Sequence, residues 1–583
     1  MRYFALACDY DGTLAHHGRV SAETISALER FLASGRRLIM VTGRELEDLR
    51  SVFLRLDLFE WIVAENGAVL YSPGRNEDKI LSAPPPEEFV NVLRRRGVSP
   101  VFVGRVIVAT WHPHEAVVLE TIREMGLELQ VIFNKDAVMV LPTGVNKATG
   151  LAAALAEMGL SRHNIVGVGD AENDHAFLQS CECAVAVANA LASVKERADL
   201  VTVADHGTGV SELIDRIIAT DLSGLDGKLL RHRLVLGTAR DGSEVAIAPY
   251  HVSVLIAGPS GSGKSTVATA LLERLADQGY QFCVIDPEGD YDDLENAVAV
   301  GSSRAGPEVE QVLQLLAKPS ENVTVNLIGL PLADRPSWFL GIFGRLQEMR
   351  ARTGHPHWLL LDEAHHLLPA SWQRGEMALT QELDRLLLIT VHPNQVAPSV
   401  VRAVQTLIAV GPSPGETIEQ FCEAAGACPS EIGDVKASDD EAVLWSRGGL
   451  PVSVRVKPAQ TERRRHIRKY AEGELSPEKS FYFRGADGKL NLRAQNLILF
   501  NQLAEGVDDE TWLHHLHRHD YSGWFREKIK DDDLAAEAEQ IESDKSLSPQ
   551  ESRQRIKAAI ERYYTLPSSP PMPVAGTDAA PKP

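Results

Sequence analysis

The sequence contains few of the features that mark secreted or membrane-spanning proteins. Only six cysteines occur in 583 residues, and they show no regular spacing, which indicates a reducing cytosol rather than a disulfide framework. No apolar run reaches the roughly 18 residues that predict a membrane-spanning helix. The first apolar run is short and stops at Asp9, so a signal peptide is not expected. We therefore expect a cytoplasmic protein with no membrane partner.

Zinc-site patterns and excess positive charge are also missing. Cys181 and Cys183 are close in sequence, but no second Cys/His pair at zinc spacing accompanies them, and we interpret them as small buried hydrophobes. The net charge is −21, which repels nucleic acid and anionic membranes at long range without excluding a local basic groove. Hydrophobic residues make up 44% of the chain, a share typical of globular domains.

The chain is long enough for about two to four domains. Up to about residue 217, apolar strand candidates alternate with amphipathic helix candidates, which predicts an α/β fold with a parallel sheet covered on both faces. A second α/β series begins near residue 241, and the last part is charged and helical until a proline-rich end. The predicted segments are 1–217 with an inserted α/β cap at about 72–142, a linker at 218–240, a second α/β domain at 241–458, a mainly helical accessory region at 459–566 and a disordered tail at 567–583.

Two carboxylates follow the first strand candidate, in the stretch "RYFALACDYDGTLA". Asp9 and Asp11 lie where ligands collect in open α/β sheets, and residues two apart on a strand point the same way. They could hold a hard cation, or one could attack while the other transfers a proton. The sequence "DYDG" is equally good chemistry for a surface turn, so these residues alone leave both interpretations open.

Three later stretches carry groups suited to phosphate or metal at strand ends or helix starts. They are "VTGR" with Thr42, "GVNKATGL" with Lys147, and "VGVGDAENDHAFL" with Asp170 and Asp174. Together with the first stretch they resemble, in order and type, the motifs of the haloacid dehalogenase (HAD) superfamily of phosphohydrolases. The resemblance covers about residues 1–217 and is greatest to the Cof-type branch, whose α/β cap lies between the second and third motifs.

The resemblance implies a role for each of these residues. Asp9 would be the nucleophile that forms an aspartyl-phosphate, and Asp11 would protonate the leaving oxygen and later activate water. Thr42 and Lys147 would hold the phosphoryl oxygens. Arg44 has two open interpretations, a substrate contact or a salt bridge. The implied Mg²⁺ ligands are Asp9, Asp11 through its carbonyl, Asp170 and Asp174.

A second phosphate-binding motif follows the apolar run "SVLI". The stretch "AGPSGSGKST" satisfies G-x-x-x-x-G-K-[ST] between a strand and a helix candidate. Its backbone N–H groups would wrap phosphates, Lys264 would reach the β- and γ-phosphates, and Ser265 would ligate Mg²⁺. The predicted ATP contacts are Gly258, Gly261, Gly263, Lys264, Ser265 and Thr266.

The stretch "HWLLLDEAHHLLP" supplies the acidic partner of this loop. Asp362 would hold the Mg²⁺ shell and Glu363 would polarise the attacking water, which favours ATP hydrolysis over kinase chemistry. His365 and His366 are interpreted as helix residues rather than ligands.

Together with "VIDPEGDYDDL", these motifs resemble the HerA/FtsK-like branch of P-loop ATPases over about residues 241–458. That resemblance is compatible with a homo-oligomeric ring formed through the ATPase domain. One departure is Thr390-Val391-His392 in place of a Thr-Gln sensor: either His392 serves as the sensor or sensing is weak. Arg402 is either a trans-acting arginine finger or a surface residue.

These observations predict a bifunctional protein. An Mg²⁺-dependent HAD phosphatase, acting on a small phosphorylated metabolite such as a sugar phosphate, is fused to an ATP-hydrolysing P-loop domain. The alternative is an ATP-driven nucleic-acid motor whose HAD domain removes phosphate from nucleic-acid ends or serves as a regulatory module. The acidic net charge of the chain does not favour this alternative. A kinase/phosphatase pair is a third hypothesis, against which Glu363 argues.

Overall fold

The computed structural model of this chain describes most of its 583 residues. The residues outside the description are 135, 226, 260, 303–304, 332, 372–383, 427–440, 461–474, 476, 478, 486–487, 530 and 564–583. The chain divides into two compact units, Met1–Gln460 and Thr461–Pro583. The predicted disordered tail at 567–583 lies outside the described residues.

The first domain contains twelve strands and eight α-helices among its described residues. Its strands are β1 Ala5–Cys8, β2 Arg37–Val41, β3 Trp61–Ala64, β4 Val69–Ser72, β5 Glu77–Ile80, β6 Phe102–Val103, β7 Val108–Trp111, β8 Leu129–Asn134, β9 Ala137–Pro142, β10 Ile165–Gly169, β11 Cys183–Ala186 and β12 Leu200–Val201. Its helices are α1 Ala22–Ala33, α2 Leu46–Val52, α3 Glu87–Arg95, α4 Glu115–Glu124, α5 Lys147–Met158, α6 His175–Ser180, α7 Ala192–Arg197 and α8 His206–Thr220.

The large sheet of this domain has the order β12-β11-β10-β1-β2-β3-β4-β5. Its six strands from β12 to β3 pair in parallel, as the nearly all-apolar strand candidates predict. Strand β1 is central and fully buried, which places its carboxyl end in the middle of the sheet edge. Helix α1 begins after Ser21, whose hydroxyl accepts the Thr24 N–H at 3.1 Å, as expected for an N-cap.

The inserted cap is a separate four-stranded antiparallel sheet of order β6-β7-β9-β8. Helices α3 and α4 bury Phe89, Leu93 and Val118 against Val108 and Val140 of that sheet. The predicted insert at 72–142 begins within the large sheet, because β5 at 77–80 pairs with β4. The two-layer cap itself therefore covers the later part of the predicted range.

The second domain is a mixed sheet covered by helices. Its strands are β13 Leu234–Ala239, β14 Glu244–Ile247, β15 Val254–Ala257, β16 Phe282–Asp286, β17 Val298–Val300, β18 Val323–Asn326, β19 Trp358–Leu361, β20 Leu386–Thr390, β21 Thr406–Val410, β22 Glu441–Ser446 and β23 Val452–Val456. Its helices are α9 Lys264–Asp277, α10 Val309–Leu316, α11 Arg335–Thr353, α12 Ala364–Leu367, α13 Pro398–Ala403 and α14 Pro414–Ala425.

The strand order is β14-β13-β23-β22-β21-β15-β20-β19-β16-β18-β17. The strands from β21 to β17 pair in parallel, and an antiparallel extension of β22, β23, β13 and β14 continues the sheet. Strand β13 lies within the predicted linker 218–240, so part of that segment is ordered sheet.

The unit after residue 460 is mainly helical, as predicted, with a small hairpin. Its described elements are β24 Phe481–Phe483, β25 Leu492–Ala494, α15 Leu497–Gly506, α16 Asp509–Leu516, α17 Asp520–Trp524, a π-helix at Phe525–Ile529, α18 Asp532–Ser543 and α19 Pro549–Tyr563. An aromatic core lies within this unit, where Trp512, Tyr521, Trp524 and Phe525 are at most 5% exposed. Among the described parts of both units, no helix combines the length and apolar character needed to cross a bilayer.

The two α/β domains of the first unit are joined by a buried polar seam. The His163 ring stacks on Tyr280 with centroids 3.7 Å apart, and its Nδ1 lies 2.7 Å from Glu182 Oε2. His357 Nε2 lies 3.2 Å from Asn164 Oδ1. Although burial raises the pKa of Glu182, the hydrogen bond and charge of His163 outweigh it and lower the pKa to about 2.

Candidate active sites

Three side chains from distant parts of the chain meet in the interior of the first domain. Lys147 Nζ donates to Asp9 Oδ1 at 2.5 Å and to Asp174 Oδ1 at 2.6 Å. Their side chains are 2%, 5% and 0% exposed. Lys147 is the first residue of α5, whose N-cap Asn146 accepts two backbone N–H groups in a capping box with Thr149. The helix start therefore fixes the ammonium beside the carboxyl end of β1.

The carboxylates of this cluster outnumber its one ammonium group, so the ionised cluster carries excess negative charge. Burial, and after it the charge of Asp174, raises the pKa of Asp9, while Lys147 acts in the opposite direction. Burial lowers the pKa of Lys147, but the charges of Asp174 and Asp9 outweigh it and leave that pKa raised. A further positive charge in the cluster would relieve the repulsion and favour the ionised form of Asp9.

A carboxylate oxygen from each of Asp9, Asp170 and Asp174 lies within 4.8 Å of the others. Thr13 Oγ1 donates to Asp170 Oδ1 at 2.9 Å, and the Asp170 N–H donates to Asp174 Oδ2 at 2.9 Å. Gly12, at φ +88°, passes so close that a Cβ there would lie 2.3 Å from Asp170 Oδ2. A dense set of oxygen ligands with a glycine cradle suits a hard divalent cation. The predicted ligands Asp9, Asp170 and Asp174 therefore do come together.

Asp11 is held away from this cluster by an arginine. Arg44 Nε and Nη2 donate to the two Asp11 oxygens at 2.6 and 2.7 Å, and Arg44 Nη1 donates to Asp48 Oδ2 at 2.6 Å. Of the two interpretations of Arg44, the salt bridge is the one that the structure contains. Asp11 is 39% exposed, so its carboxylate lies on the solvent side of the site.

Thr42 is buried at the end of β2, and its Oγ1 accepts the Arg44 N–H at 3.1 Å. Its backbone oxygen accepts the N–H of Asn66 at 3.0 Å. Asn66 is a left-handed residue at φ 56°, and its Oδ1 accepts from Asn173 Nδ2 at 3.1 Å. These contacts connect the loops after β2, β3 and β10 around the acidic cluster.

Glu65 is a residue of the site region that sequence reasoning missed. It is 1% exposed, and its carboxylate accepts the backbone N–H groups of Arg105, Val106 and Ile107 at 2.8–2.9 Å. These three amides lie between β6 and β7 of the cap, so Glu65 ties the cap to the loop beside Thr42. A glutamate directly after the apolar strand candidate "WIVA" was the available signal.

The P-loop of the second domain has the predicted local form. Gly263 is the left-handed N-cap of α9 at φ 90°, and Lys264 is its first residue. Lys264 Nζ donates to the carbonyl oxygens of Gly258 and Pro259 at 3.0 and 2.9 Å. A Cβ on Gly258 would lie 2.1 Å from the Val410 oxygen, so this glycine is required by the approach of β21. As ATP contacts, all six residues stay predictions: Gly258, Gly261, Gly263, Lys264, Ser265 and Thr266.

Asp362 and Glu363 directly follow β19. One strand, β20, lies between β19 and the P-loop strand β15. Asp362 is 1% exposed, and Glu363 is left-handed at φ 40°. Thr390 ends the intervening strand β20, and its Oγ1 accepts the His392 N–H at 3.1 Å. His392 itself is exposed. Arg402 is also exposed, and its role as an arginine finger stays a prediction.

The two candidate sites face away from each other. The acidic cluster and the P-loop lie at the carboxyl ends of their strands, whereas the seam residues His163 and His357 precede β10 and β19. The domains therefore meet at the amino ends of their sheets. Each candidate site therefore lies at the strand ends opposite to the seam.

The first domain and the second match different protein families. Residues 6–102 and 120–214 match haloacid dehalogenase-like hydrolases, and residues 243–389 match the AAA ATPase domain. The HerA/FtsK-like branch stays a prediction.

Similar proteins cover the first domain. A phosphoglycolate phosphatase of Methanothermobacter thermautotrophicus is 31% identical over 222 residues, which are 37% of this chain and 98% of that protein. Phosphoglycolate phosphatase 2 of Saccharolobus solfataricus is 30% identical over 229 residues, 38% of this chain and 94% of that protein. A crystal structure of a haloacid dehalogenase-like hydrolase from Bacteroides thetaiotaomicron has 22% identity and a TM-score of 0.33, covering 37% of this chain and 99% of that one.

Proposed function

This chain belongs to the haloacid dehalogenase-like hydrolase family and carries an AAA ATPase domain, and from that premise we propose that its first domain is an Mg²⁺-dependent phosphatase of small phosphorylated metabolites. The observation that carries the proposal is the buried Asp9–Lys147–Asp174 cluster beside Asp170. A carboxylate that attacks a phosphate anion needs such cationic help to overcome charge repulsion.

The side chains of the cluster divide the work of phosphate hydrolysis. Asp9 attacks the phosphorus atom and becomes an aspartyl-phosphate, which divides one difficult displacement into two easier ones. Lys147, which already contacts Asp9, neutralises the phosphoryl oxygens, and Thr42 holds one of them through its hydroxyl. Asp9, Asp170, Asp174 and the Asp11 carbonyl would hold Mg²⁺, which supplies charge neutralisation of the phosphoryl group.

Asp11 must leave its present partner to act. To protonate the leaving oxygen, its carboxyl has to turn from Arg44 towards the phosphoryl group. Two N–H groups of Arg44 then lose their acceptors, and a carboxylate on the substrate can replace them in the same bidentate geometry. This arrangement favours a phosphorylated hydroxy acid over a sugar phosphate, whose sugar part carries no carboxylate, in line with relatives that are phosphoglycolate phosphatases.

A substrate panel tests this proposal. The full chain is assayed for phosphate release from 2-phosphoglycolate and from sugar phosphates, with Mg²⁺, as wild type, Asp9→Asn and Arg44→Gln. We expect Asp9→Asn to abolish release from every substrate. Arg44→Gln should raise KM for 2-phosphoglycolate far more than for a sugar phosphate. Equal phosphatase activity of wild type and Asp9→Asn would contradict the mechanism, and equal KM effects would contradict the carboxylate contact.

The second domain is proposed to hydrolyse ATP with Mg²⁺. Lys264 and the P-loop amides bind the phosphates, Ser265 and Asp362 would hold the metal ion, and Glu363 activates water. Because the two sites face apart, we propose that ATP hydrolysis acts on the phosphatase through the seam rather than on its substrate. We expect Lys264→Ala to abolish ATP hydrolysis, to keep the phosphatase activity measured without ATP, and to remove any effect of added ATP on that activity. Unchanged ATP hydrolysis in Lys264→Ala would contradict it.

A further inference from the structure

Within the proposed ATPase site, His365 lies close to two polar side chains on neighbouring strand ends. This residue lies in the short helix α12, two residues after Glu363, and its side chain is 13% exposed. Its Nδ1 lies 3.1 Å from Thr390 Oγ1 and 3.5 Å from Glu363 Oε2. The Nδ1 atom of His365 is thus within hydrogen-bond distance of the Thr390 hydroxyl, and it lies a few tenths of an ångström too far from the Glu363 carboxylate for an ordinary hydrogen bond.

The sheet register explains why these three residues meet. Leu361 of β19 lies opposite Leu388 of β20, so Glu363 and Thr390 each follow that pair by two residues. Ala257, directly before the P-loop, lies opposite Thr390. Thr390 is fully buried between the strands that carry the P-loop and the acidic pair. His365 therefore stands at the junction of all the parts that would surround a γ-phosphate.

His365 is a neutral ring in this position. Burial, and then the neighbouring His366 and His392, lowers its pKa to about 4, and Lys264 contributes in the same direction. A neutral imidazole has one N–H, so a proton on Nδ1 can be donated to Thr390 or to Glu363 but not fully to both. The ring thus has two alternative acceptors, one on each neighbouring strand end.

We propose that His365 is a positioning residue for ATP hydrolysis, whose Nδ1 hydrogen bond alternates between Thr390 and Glu363. When a γ-phosphate occupies the Thr390 hydroxyl, the His365 N–H turns to the Glu363 carboxylate and fixes the base towards the attacking water. Without a γ-phosphate, Thr390 holds the ring and Glu363 lacks this support. The chain thereby gains a γ-phosphate sensor although Thr-Val-His replaces the expected pair. This inference rests on the proposed ATP hydrolysis by Glu363.

The test compares three variants of the full chain. His365→Ala removes the ring, His365→Asn keeps an amide donor near the Nδ1 position, and His366→Asn is a matched control, because His366 is exposed in the same helix. We expect His365→Ala to lower kcat for ATP at least about tenfold, with KM changed less than about twofold. His365→Asn should recover most of kcat, and His366→Asn should equal wild type.

Two other readouts separate positioning from a structural role. Adding His365→Ala to Thr390→Val should lower kcat for ATP by a much smaller factor than adding it to wild type, because both changes break the same hydrogen-bond network. A nonhydrolysable ATP analogue with Mg²⁺ should shift the ¹⁵N resonances of the His365 ring, identified by their loss in His365→Asn. An ATP-hydrolysing wild type in which His365→Ala keeps full kcat would overturn the proposal, as would additive effects or an unshifted resonance. A wild type without ATP turnover would contradict the proposed ATPase function instead, and the resonance shift would still decide the role of His365.

Discussion

Replacing Lys147 by methionine should destabilise the first domain strongly when divalent ions are absent. The ammonium contacts Asp9 and Asp174 at 2.5 and 2.6 Å in a site that is almost completely buried. Removing one partner of a buried ion pair leaves uncompensated charge and costs about 3–5 kcal/mol. We therefore expect Lys147→Met to lower the free energy of unfolding by about 3–5 kcal/mol in the presence of a chelator.

Divalent ions should reverse much of this loss. With Lys147 gone, the three neighbouring carboxylates attract a cation more strongly, and an ion at a hundred times its Kd stabilises the folded state by about 2.7 kcal/mol. The gap between Lys147→Met and wild type should therefore narrow in saturating Mg²⁺, while phosphatase activity stays reduced by about 100-fold or more.

Urea unfolding with and without Mg²⁺ measures these effects, and Lys79→Met is the matched control. Lys79 forms a 2.6 Å ion pair with Glu157 in the same domain, but it is 45% exposed. Exposed pairs contribute up to about 1 kcal/mol. A Lys147→Met protein that is as stable in chelator as Lys79→Met would refute the view that this lysine compensates buried carboxylates.

Three further predictions concern the seam, the P-loop and the cap. The pKa of Glu182 is lowered to about 2 from about 4.3 in the unfolded chain, so its ionised form contributes about 3 kcal/mol to folding stability. This contribution is present above the unfolded pKa and is lost as the pH falls towards the folded pKa. The difference in free energy of unfolding between wild type and Glu182→Gln, measured with urea, should therefore shrink over that pH range, and a pH-independent difference would argue against it. In Gly258→Ala the new Cβ lies 2.1 Å from the carbonyl oxygen of Val410, so the affinity for ATP, measured by fluorescence titration, should fall at least about tenfold. The control Gly415→Ala, which has open space around the new Cβ, should bind ATP like wild type. Equal ATP affinities of the two variants would contradict this prediction. Glu65→Gln removes the charge that holds three cap amides, so these amides should exchange with solvent at least about tenfold faster, and unchanged exchange would rule out a clamp.

The strand ends of both domains could be predicted because they follow from local pattern. An apolar strand with helices on either side belongs to a parallel sheet, and parallel strands present their carboxyl ends at one edge. Asp9 and Asp170 therefore lie close together where the sequence placed them, and Lys147, at a helix start, contacts Asp9. Asp362 follows β19, one strand away from the P-loop strand.

The contacts between these groups could not be predicted from local pattern. The partner of Arg44 is Asp11, 33 positions away, and the choice between salt bridge and substrate contact depends on side-chain geometry. The Nδ1 contacts of His365 depend on the register of β20 against β19. Glu65 resembles any polar residue of a loop until the cap is folded above it.

The seam between the domains left no sequence signal either. His163, His357 and Tyr280 are single residues at strand starts, and such positions are ordinary in soluble proteins. Their meaning comes from the docking of two sheets by their amino ends. That docking also decides that the two sites open in opposite directions, which the order of motifs along the chain does not reveal.

Trapping of a phosphorylated Asp9 tests the central claim most directly. In Asp11→Asn, p-nitrophenyl phosphate needs no acid for its leaving group, but the second step lacks its base. The account predicts a burst of one p-nitrophenol per chain with Mg²⁺, and mass spectrometry should place one phosphoryl group on Asp9. Steady phosphatase turnover by wild type with no burst in Asp11→Asn and no phosphoryl group on Asp9 would contradict it.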